Sequence, residues 1–299
     1  MLYNLKTSKE ISINIKVFIK MTNTTRNIIQ SYWTSNYTPY LTIRSTYNSS
    51  QSYKPHYHSE LSIGIIESNE TRLSLPQKEL TLKKGDVVII EPQVVHACNP
   101  INGKPRSYYM LYINNEWCCH LLSKIYGYQV TSFSAKDVLI NKNNKEFNPA
   151  ALVKKVQELK LQGTISELEN FLLDTLTKYC SPNKNGTKEC PATSQIKARL
   201  IENISHSPSL DTLAIELEQA KETLIRRFKR DTGITPKSFL NNYRIEKSKI
   251  LLRSGMKIID VAGEIGFSDQ SQFHRNFVNY TASTPKQYQN LKSIFDNTP

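Results

Sequence analysis

Three histidines and a carboxylate are the groups in this 299-residue chain whose type and spacing could do chemistry. His56, His58 and Glu60 stand in the run Pro55-His56-Tyr57-His58-Ser59-Glu60, and His96 ends a run that passes through Gly85-Asp86 and Glu91-Pro92. Imidazole and carboxylate groups can ligate a metal such as Fe or Mn with positions left open for substrate. They can instead orient a small molecule in a pocket walled by Tyr109 and Tyr112, since such pockets hold a few polar groups among apolar ones. In a third reading they bond to backbone and fix strand ends. Between the pocket and the structural reading the residues alone leave the choice open.

A second set lies between Lys257 and Gln289. Ile258, Ile259, Val261, Ala262 and Ile265 recur at helical spacing and predict a short amphipathic helix. Gly266 provides a turn that needs a positive φ, and Phe267 plugs the space behind it. Ser268-Asp269 supplies an N-cap, so a second helix starts at Gln270. Phe273 and Phe277 face inward, which leaves Gln270, Ser271, His274 and Arg275 on the outward face. This is a helix-turn-helix whose outward groups can hydrogen-bond base edges and phosphates in a major groove. The plainer alternative is a small bundle with a solvated polar face.

A similar unit precedes it. Ser209-Leu210-Asp211 caps one helix, Glu218-Gln219 turns, and Lys221–Arg230 forms another with Leu224 and Phe228 inward. Lys221, Glu222, Thr223 and Arg226 are its candidate DNA contacts. Glu218 costs up to about 1 kcal/mol if its position needs a positive φ. Arg226 can read guanine bidentately, but Glu222 and Ile225 are poor readers, so this unit is expected to grip phosphates more than to read bases. Between the two units Pro236 opens a helix running to about Arg253. Roughly 18 residues at 1.5 Å each span about 27 Å, a spacer suited to successive grooves about 34 Å apart.

The ordered string A-G-E-I-G-F-S-D-Q-S-Q-F-H-R-N-F, ending in T-P-K-Q-Y, resembles the signature of the AraC/XylS family of bacterial transcription regulators. The strings around His56–Glu60 and K-K-G-D-V-V-I-I-E-P-Q-V-V-H resemble the two motifs of a cupin barrel, as in the sensor domain of such regulators. The resemblance implies sequence-specific binding to double-stranded DNA, with activation favoured, RNA polymerase as a partner and homodimerisation in many relatives. It implies a small-molecule effector, with His56, His58, Glu60, His96 and Tyr109 as candidate contacts. A cupin enzyme would want a Glu four or five residues after His58. Ser62 and Ile63 stand there and Glu60 comes too early, so neither a metal nor another cofactor is expected. The competing class is a metal-dependent cupin enzyme with an appended helical domain, but no triad, phosphate loop or paired carboxylates support catalysis.

The formal charge of +13 and a pI of about 9.4 suit a polyanionic partner, with an acidic membrane surface equally served. The charge is spread: Ala192–Pro299 carries 16 Lys and Arg against 11 Asp and Glu, so it does not locate a binding face. The five cysteines are odd in number and include no C-x-x-C, which reads as reduced thiols in a cytoplasm. No apolar run reaches the roughly 18 residues of a membrane span.

The expected fold class is α+β. A tail covers residues 1–24, with Met21 an alternative start. A cupin-like β-barrel occupies 25–140, read from short runs separated by Pro, Gly and Asn turns. Residues 141–180 form an amphipathic helical hairpin, broken at Gly163, that covers the barrel or pairs two subunits. A polar linker spans 181–191, and 192–299 form an all-α domain with two helix-turn-helix units joined by the long helix.

Overall fold

The computed structural model describes residues 29–34, 38–140, 162–183, 190–290 and 292–293. Two sheets form the N-terminal half. The larger contains β1 (Gln30–Thr34), β2 (Leu41–Ser49), β3 (Leu61–Ser68), β6 (Val87–Ile90), β8 (Arg106–Ile113) and a C-terminal strand β11 (Lys292–Ser293), in the order β11-β1-β2-β8-β3-β6. The smaller orders β5 (Lys78–Leu82), β4 (Thr71–Leu75) and β7 (Ala97–Pro100). The expected α+β class holds, and strands occupy the short runs around Leu41, Leu61, Leu73, Leu80, Val87 and Tyr108.

Alternation along each strand splits the side chains between two cores. Ile43, Ile63, Leu111 and Ile113 point to one face of the large sheet. Tyr108, Met110, Tyr112 and Val88 point to the other, toward Leu73 and Leu82 of the small sheet. Tyr109 therefore cannot share a pocket with Tyr112. It packs at the edge of the first core, on the far side of β8 from the histidines, so by the period of two it does not line their cavity.

The first face is closed by helices. The sequence pattern does not predict α1 (Asn115–Tyr126), which buries Cys118, Cys119 and Leu122. Asn114 caps it through Trp117 N, and Gly127 ends it at φ 72°. α2 (Gln162–Tyr179) is the second helix of the expected hairpin, and Leu168, Leu172 and Leu176 are buried in the same core. Gly163 lies in its first turn. The first helix of the hairpin and the N-terminal tail lie outside the described residues. Two short strands, β9 (Phe133–Ala135) and β10 (Cys180–Pro182), pair antiparallel and lead out to the C-terminal half.

That half is helical: α3 (Pro191–Glu202), α4 (Leu210–Glu216), α5 (Lys221–Thr232), α6 (Pro236–Arg253), α7 (Ile258–Glu264), α8 (Gln270–Thr281) and α9 (Pro285–Gln289). Its caps follow the sequence. Ser209 Oγ accepts from Thr212 N at 3.0 Å, Asp269 Oδ1 from Gln272 N at 2.7 Å, and Thr284 with Gln287 makes a capping box.

The two halves are docked. Tyr57 N donates to Asn242 Oδ1 (2.9 Å), and Asn242 Nδ2 donates back to Tyr57 O (3.0 Å). Lys54 N donates to Asn279 O, Arg44 Nη1 to Thr281 O and Arg253 Nη2 to Thr42 Oγ1. Tyr57 and Val95 join the core of the first helical unit, and Tyr32 joins that of the second.

Arg106 holds the loop that carries the histidines. Its fully buried guanidinium donates to Ser49 O, Gln51 O and Cys98 O, tying the loop after β2 to β7 beside His96. Replacing it by Leu strands three buried carbonyls, each charge-assisted bond being worth about 1.5–3 kcal/mol. Arg106→Leu should therefore lower the thermal midpoint of the full chain by at least the equivalent of about 3 kcal/mol, checked by calorimetry.

Candidate functional site

The helical half presents two readers of one design. In the first, α4 and α5 meet through Leu213, Leu224 and Phe228, all fully buried. Glu218 sits in the turn at φ 50°, so the suspected conformational cost is real. In the second, α7 and α8 close over Val261, Ile265, Phe273 and Phe277, with Gly266 at φ 79°. The aromatic backing leaves the opposite faces free. Glu222, Arg226, Gln270, Ser271, His274 and Arg275 are exposed, while Lys221 and Thr223 are half-buried. Lys221 Nζ reaches back 2.8 Å to Asp211 of α4, so it stiffens the first unit as well as offering charge.

α6 spans Pro236–Arg253, in agreement with the sequence pattern. It also carries a clasp that the sequence does not reveal. Arg244 Nε and Nη2 both donate to Ile204 O, at 2.9 and 2.6 Å, in the loop between α3 and α4. The same guanidinium lies 5.7 Å from the centre of the Phe267 ring in the turn of the second unit. Gly266 is pressed against this clasp: a Cβ there would stand 2.7 Å from Ile204 O, Ser205 Cα and Arg244 Nη2. One glycine thus answers two demands, a positive φ and a close approach of backbone from the other reader.

In the N-terminal half the three histidines come together, each no more than 5% exposed. Ring centres are 4.8 Å apart for His56–His58, 4.6 Å for His56–His96 and 5.2 Å for His58–His96. His56 and His96 face each other across an isolated antiparallel bridge, with reciprocal backbone bonds of 2.9 and 2.8 Å. The Nδ1 of His56 lies 2.7 Å from Lys54 O and that of His96 3.0 Å from Val94 O. His58 Nδ1 is buried without a hydrogen bond and points at Glu246 Oε1 of α6 from 3.5 Å. Burial holds all three imidazoles neutral: His96 is pushed down to about 4, and His56 and His58 lie well below the usual histidine range.

These histidines line a cavity of about 20 Å³ inside the barrel, together with Arg44, Tyr53 and Tyr108. That is room for one water-sized occupant. Arg44 is 5% exposed, and its guanidinium lies 5.5–5.6 Å from the Tyr53, Tyr108 and Tyr112 rings. Glu60 is not in this cavity. It lines a separate cleft of about 700 Å³ between the halves, with Tyr57, Tyr243, Glu246, Lys249 and Arg253. Of the five residues expected to touch one effector, the three histidines cluster inside the barrel, Glu60 lines the cleft yet comes within 4.8 Å of His58, and Tyr109 lies under the helices. Arg44, Asn242, Arg244 and Glu246 are candidate site residues that the sequence does not single out. Arg44 sits in a strand between Ile43 and Ser45 with polar Thr42 and Thr46 beyond them, and the other three lie on a helix whose polar residues give no clue to what faces them.

Two family models match the chain: a helix-turn-helix domain over residues 213–291 and an AraC-like ligand binding domain over residues 38–134. The uncharacterized HTH-type transcriptional regulator YbfI of Bacillus subtilis is 27% identical over 224 residues, covering 74% of this chain and 81% of that protein. The HTH-type transcriptional activator RhaS of Escherichia coli is 28% identical over 140 residues, which are 42% of this chain and 50% of RhaS. The alignment therefore spans about half the length of RhaS. The crystal structure of an apo ToxT variant from Vibrio cholerae superposes with a TM-score of 0.54 at 15% identity, covering 88% of this chain and 96% of that one, a likeness of fold alone.

The conformational costs in the readers predict opposite outcomes for two substitutions. Gly266→Ala forces a side chain into backbone at a positive φ, and overpacking and strain together cost about 2–4 kcal/mol. It should lower the melting point of the helical half and abolish specific DNA retention. Glu218→Gly relieves an exposed left-handed residue and should raise stability by up to about 1 kcal/mol, read as a shift in denaturant midpoint at constant slope. The matched models and the docked architecture place the chain in one group: it belongs to the AraC family of helix-turn-helix transcription regulators, with an AraC-like ligand binding domain ahead of the DNA-binding helices.

Proposed function

We propose that this regulator binds two successive major-groove segments of a promoter with α5 and α8, and that a small organic effector seated between its halves controls that binding. The observation that carries the reading is the pair of exposed polar reader faces joined through one continuous helix. An 18-residue α6 is about 27 Å long, close to the spacing of grooves on one side of a duplex. Arg275 and Arg226 are the favoured base readers, with Gln270, Ser271, His274, Glu222 and Thr223 beside them and Lys221 on phosphate. Activation, the role printed in the name of RhaS for that protein, is the favoured sign of regulation, with RNA polymerase as the partner. Homodimerisation and a cytoplasmic location accompany this reading.

The effector assignment shifts from the barrel to the cleft. A cavity of about 20 Å³ excludes an organic molecule, whereas about 700 Å³ falls within the usual range of 300–1,000 Å³ for ligand sites. Its polar lining of Glu60, Glu246, Lys249 and Arg253 comes from both halves, so an occupant changes how they sit together. The reading of the histidines as backbone-bonded posts agrees with the bonds of His56 and His96 to Lys54 O and Val94 O.

Selection of bound sequences from a random pool by the full chain, followed by titration of the selected site, tests the proposal. Arg275→Ala should lose about 1–3 kcal/mol on the selected site and relax the preference at one base position. Equal loss on every sequence would reassign Arg275 to phosphate, and absence of any preferred sequence would overturn specific regulation.

A further inference from the structure

Arg44 is a buried charge without a counter-charge. It stands in β2 at 5% exposure and makes a single hydrogen bond, from Nη1 to Thr281 O at 3.0 Å. Its Nε is buried with no partner, and among the described residues no carboxylate pairs with it. Arg106, also buried, differs in donating to three carbonyls. A charge taken out of water is costly unless it is paired. The Tyr53, Tyr108 and Tyr112 rings, 5.5–5.6 Å away, offset part of that cost. No neighbour ionises to supply the rest. Burial pushes the Tyr53 and Tyr112 hydroxyls well above their usual range and the Cys98 thiol up to about 11, so all three stay neutral beside the guanidinium.

Space for a counter-ion lies at the junction of the halves. A cavity of about 10 Å³ is lined by Arg44, Glu60 and Tyr112 from the N-terminal half and by Lys249 and Arg253 from α6, room for one occupant of atomic size. Three cations there face one carboxylate. Glu246, whose Oε1 is 2.6 Å from Lys249 Nζ, brings a second, and one positive charge is still left over. His58, also on the lining, is held neutral by burial and adds no charge. Arg253 donates through Nη2 to Thr42 Oγ1, and among the described residues no carboxylate pairs with it either. An excess of positive charge around a small space attracts an anion and repels a cation.

We propose that this cavity binds one monatomic anion of the chloride class as the counter-ion of Arg44, and that the ion joins β2 of the N-terminal sheet to α6 of the DNA-binding half. Arg44 holds it from one side of the junction, Lys249 and Arg253 from the other, so separating the halves takes its site apart. The ion thereby favours the docked arrangement by mass action. The proposal goes beyond the effector reading. The organic molecule of that reading occupies the cleft of about 700 Å³, whose lining shares Lys249 and Arg253 with this cavity and does not include Arg44.

The test uses the full chain in sodium gluconate, with chloride or bromide exchanged in at constant ionic strength. The thermal midpoint should rise along a saturating curve with either halide, and acetate or sulfate should not reproduce it. Lys54 N and Tyr57 N bond to Asn279 O and Asn242 Oδ1 across the junction. Their hydrogen exchange should slow about tenfold at a chloride concentration ten times its dissociation constant, as the factor 1 + [L]/Kd requires. Arg44→Gln should abolish the saturating response, and Arg253→Gln, an exposed charge, should weaken it roughly two- to fivefold. In a crystal grown with bromide the anomalous signal should lie beside Arg44. A linear response that Arg44→Gln shares is a general salt effect and overturns the site, as does bromide on the outer surface alone. A response to acetate equal to that of chloride overturns the assignment to a monatomic ion. Unchanged exchange at Lys54 and Tyr57, or an unchanged response in Arg253→Gln, overturns the link between halves. The bromide signal of the unaltered chain decides the site even where Arg44→Gln fails to fold. Specific DNA binding in gluconate is scored separately, so loss of this proposal leaves the regulator reading standing.

Discussion

The contact on which the helical half depends is the double hydrogen bond from Arg244 to Ile204 O. The two helix-turn-helix units have separate cores, one around Phe228 and one around Phe277, and separate cores do not by themselves fix a relative orientation. α6 supplies the distance. Arg244, halfway along it, supplies the angle, because its guanidinium binds a carbonyl of the first unit while lying against Phe267 of the second. The planar fork makes both donors act on one acceptor, a geometry that a lysine cannot reproduce. Gly266 is the complement of this contact, since a Cβ there would stand 2.7 Å from the first unit's backbone at Ile204 O and Ser205 Cα.

The junction between the halves follows a different logic. It relies on main-chain groups: Tyr57, Lys54, Thr281 and Asn279 each offer backbone to the opposite half. Backbone groups buried at a junction must find partners, so the pairing of Asn242 with both N–H and C=O of Tyr57 imitates one rung of a sheet. Such a junction is directional. A shift of an ångström breaks several bonds together, whereas an apolar junction of equal area would slide. The cleft and the histidine cavity lie on either side of it, near enough that a change in either is felt at the same bonds.

Local pattern is readable in this chain and distant pairing is not. The run Ile258–Arg275 shows its helix, turn, cap and outward face, because each depends on neighbours within a few positions. Val87–Ile90 and Tyr108–Ile113 read as strands for the same reason. The helix at Asn115–Tyr126 is hidden because it follows the strand ending at Ile113 after a single residue, and that residue, Asn114, also reads as a loop residue. Tyr109 is misplaced by one step of strand alternation, which puts it on the far face from Tyr112. Glu246 lies beyond reach altogether. Its neighbour His58 is distant in the chain, and on α6 it reads as one more polar residue among lysines. The absence of a carboxylate near His58 is a true property of the local string, and it cannot disclose what the other half brings.

The last described residues bear on how the halves can move. β11 pairs parallel with β1, Trp33 opposite Lys292 and Thr34 opposite Ser293, so the end of the DNA-binding half is stitched into the edge of the N-terminal sheet. With the covalent connection after Pro182 at its beginning, that half is anchored at two points. A body anchored twice can swing about the line joining its anchors while its other rotations are suppressed. The two-residue stitch thereby converts loosening at the junction into a hinged rotation of both readers as one rigid unit.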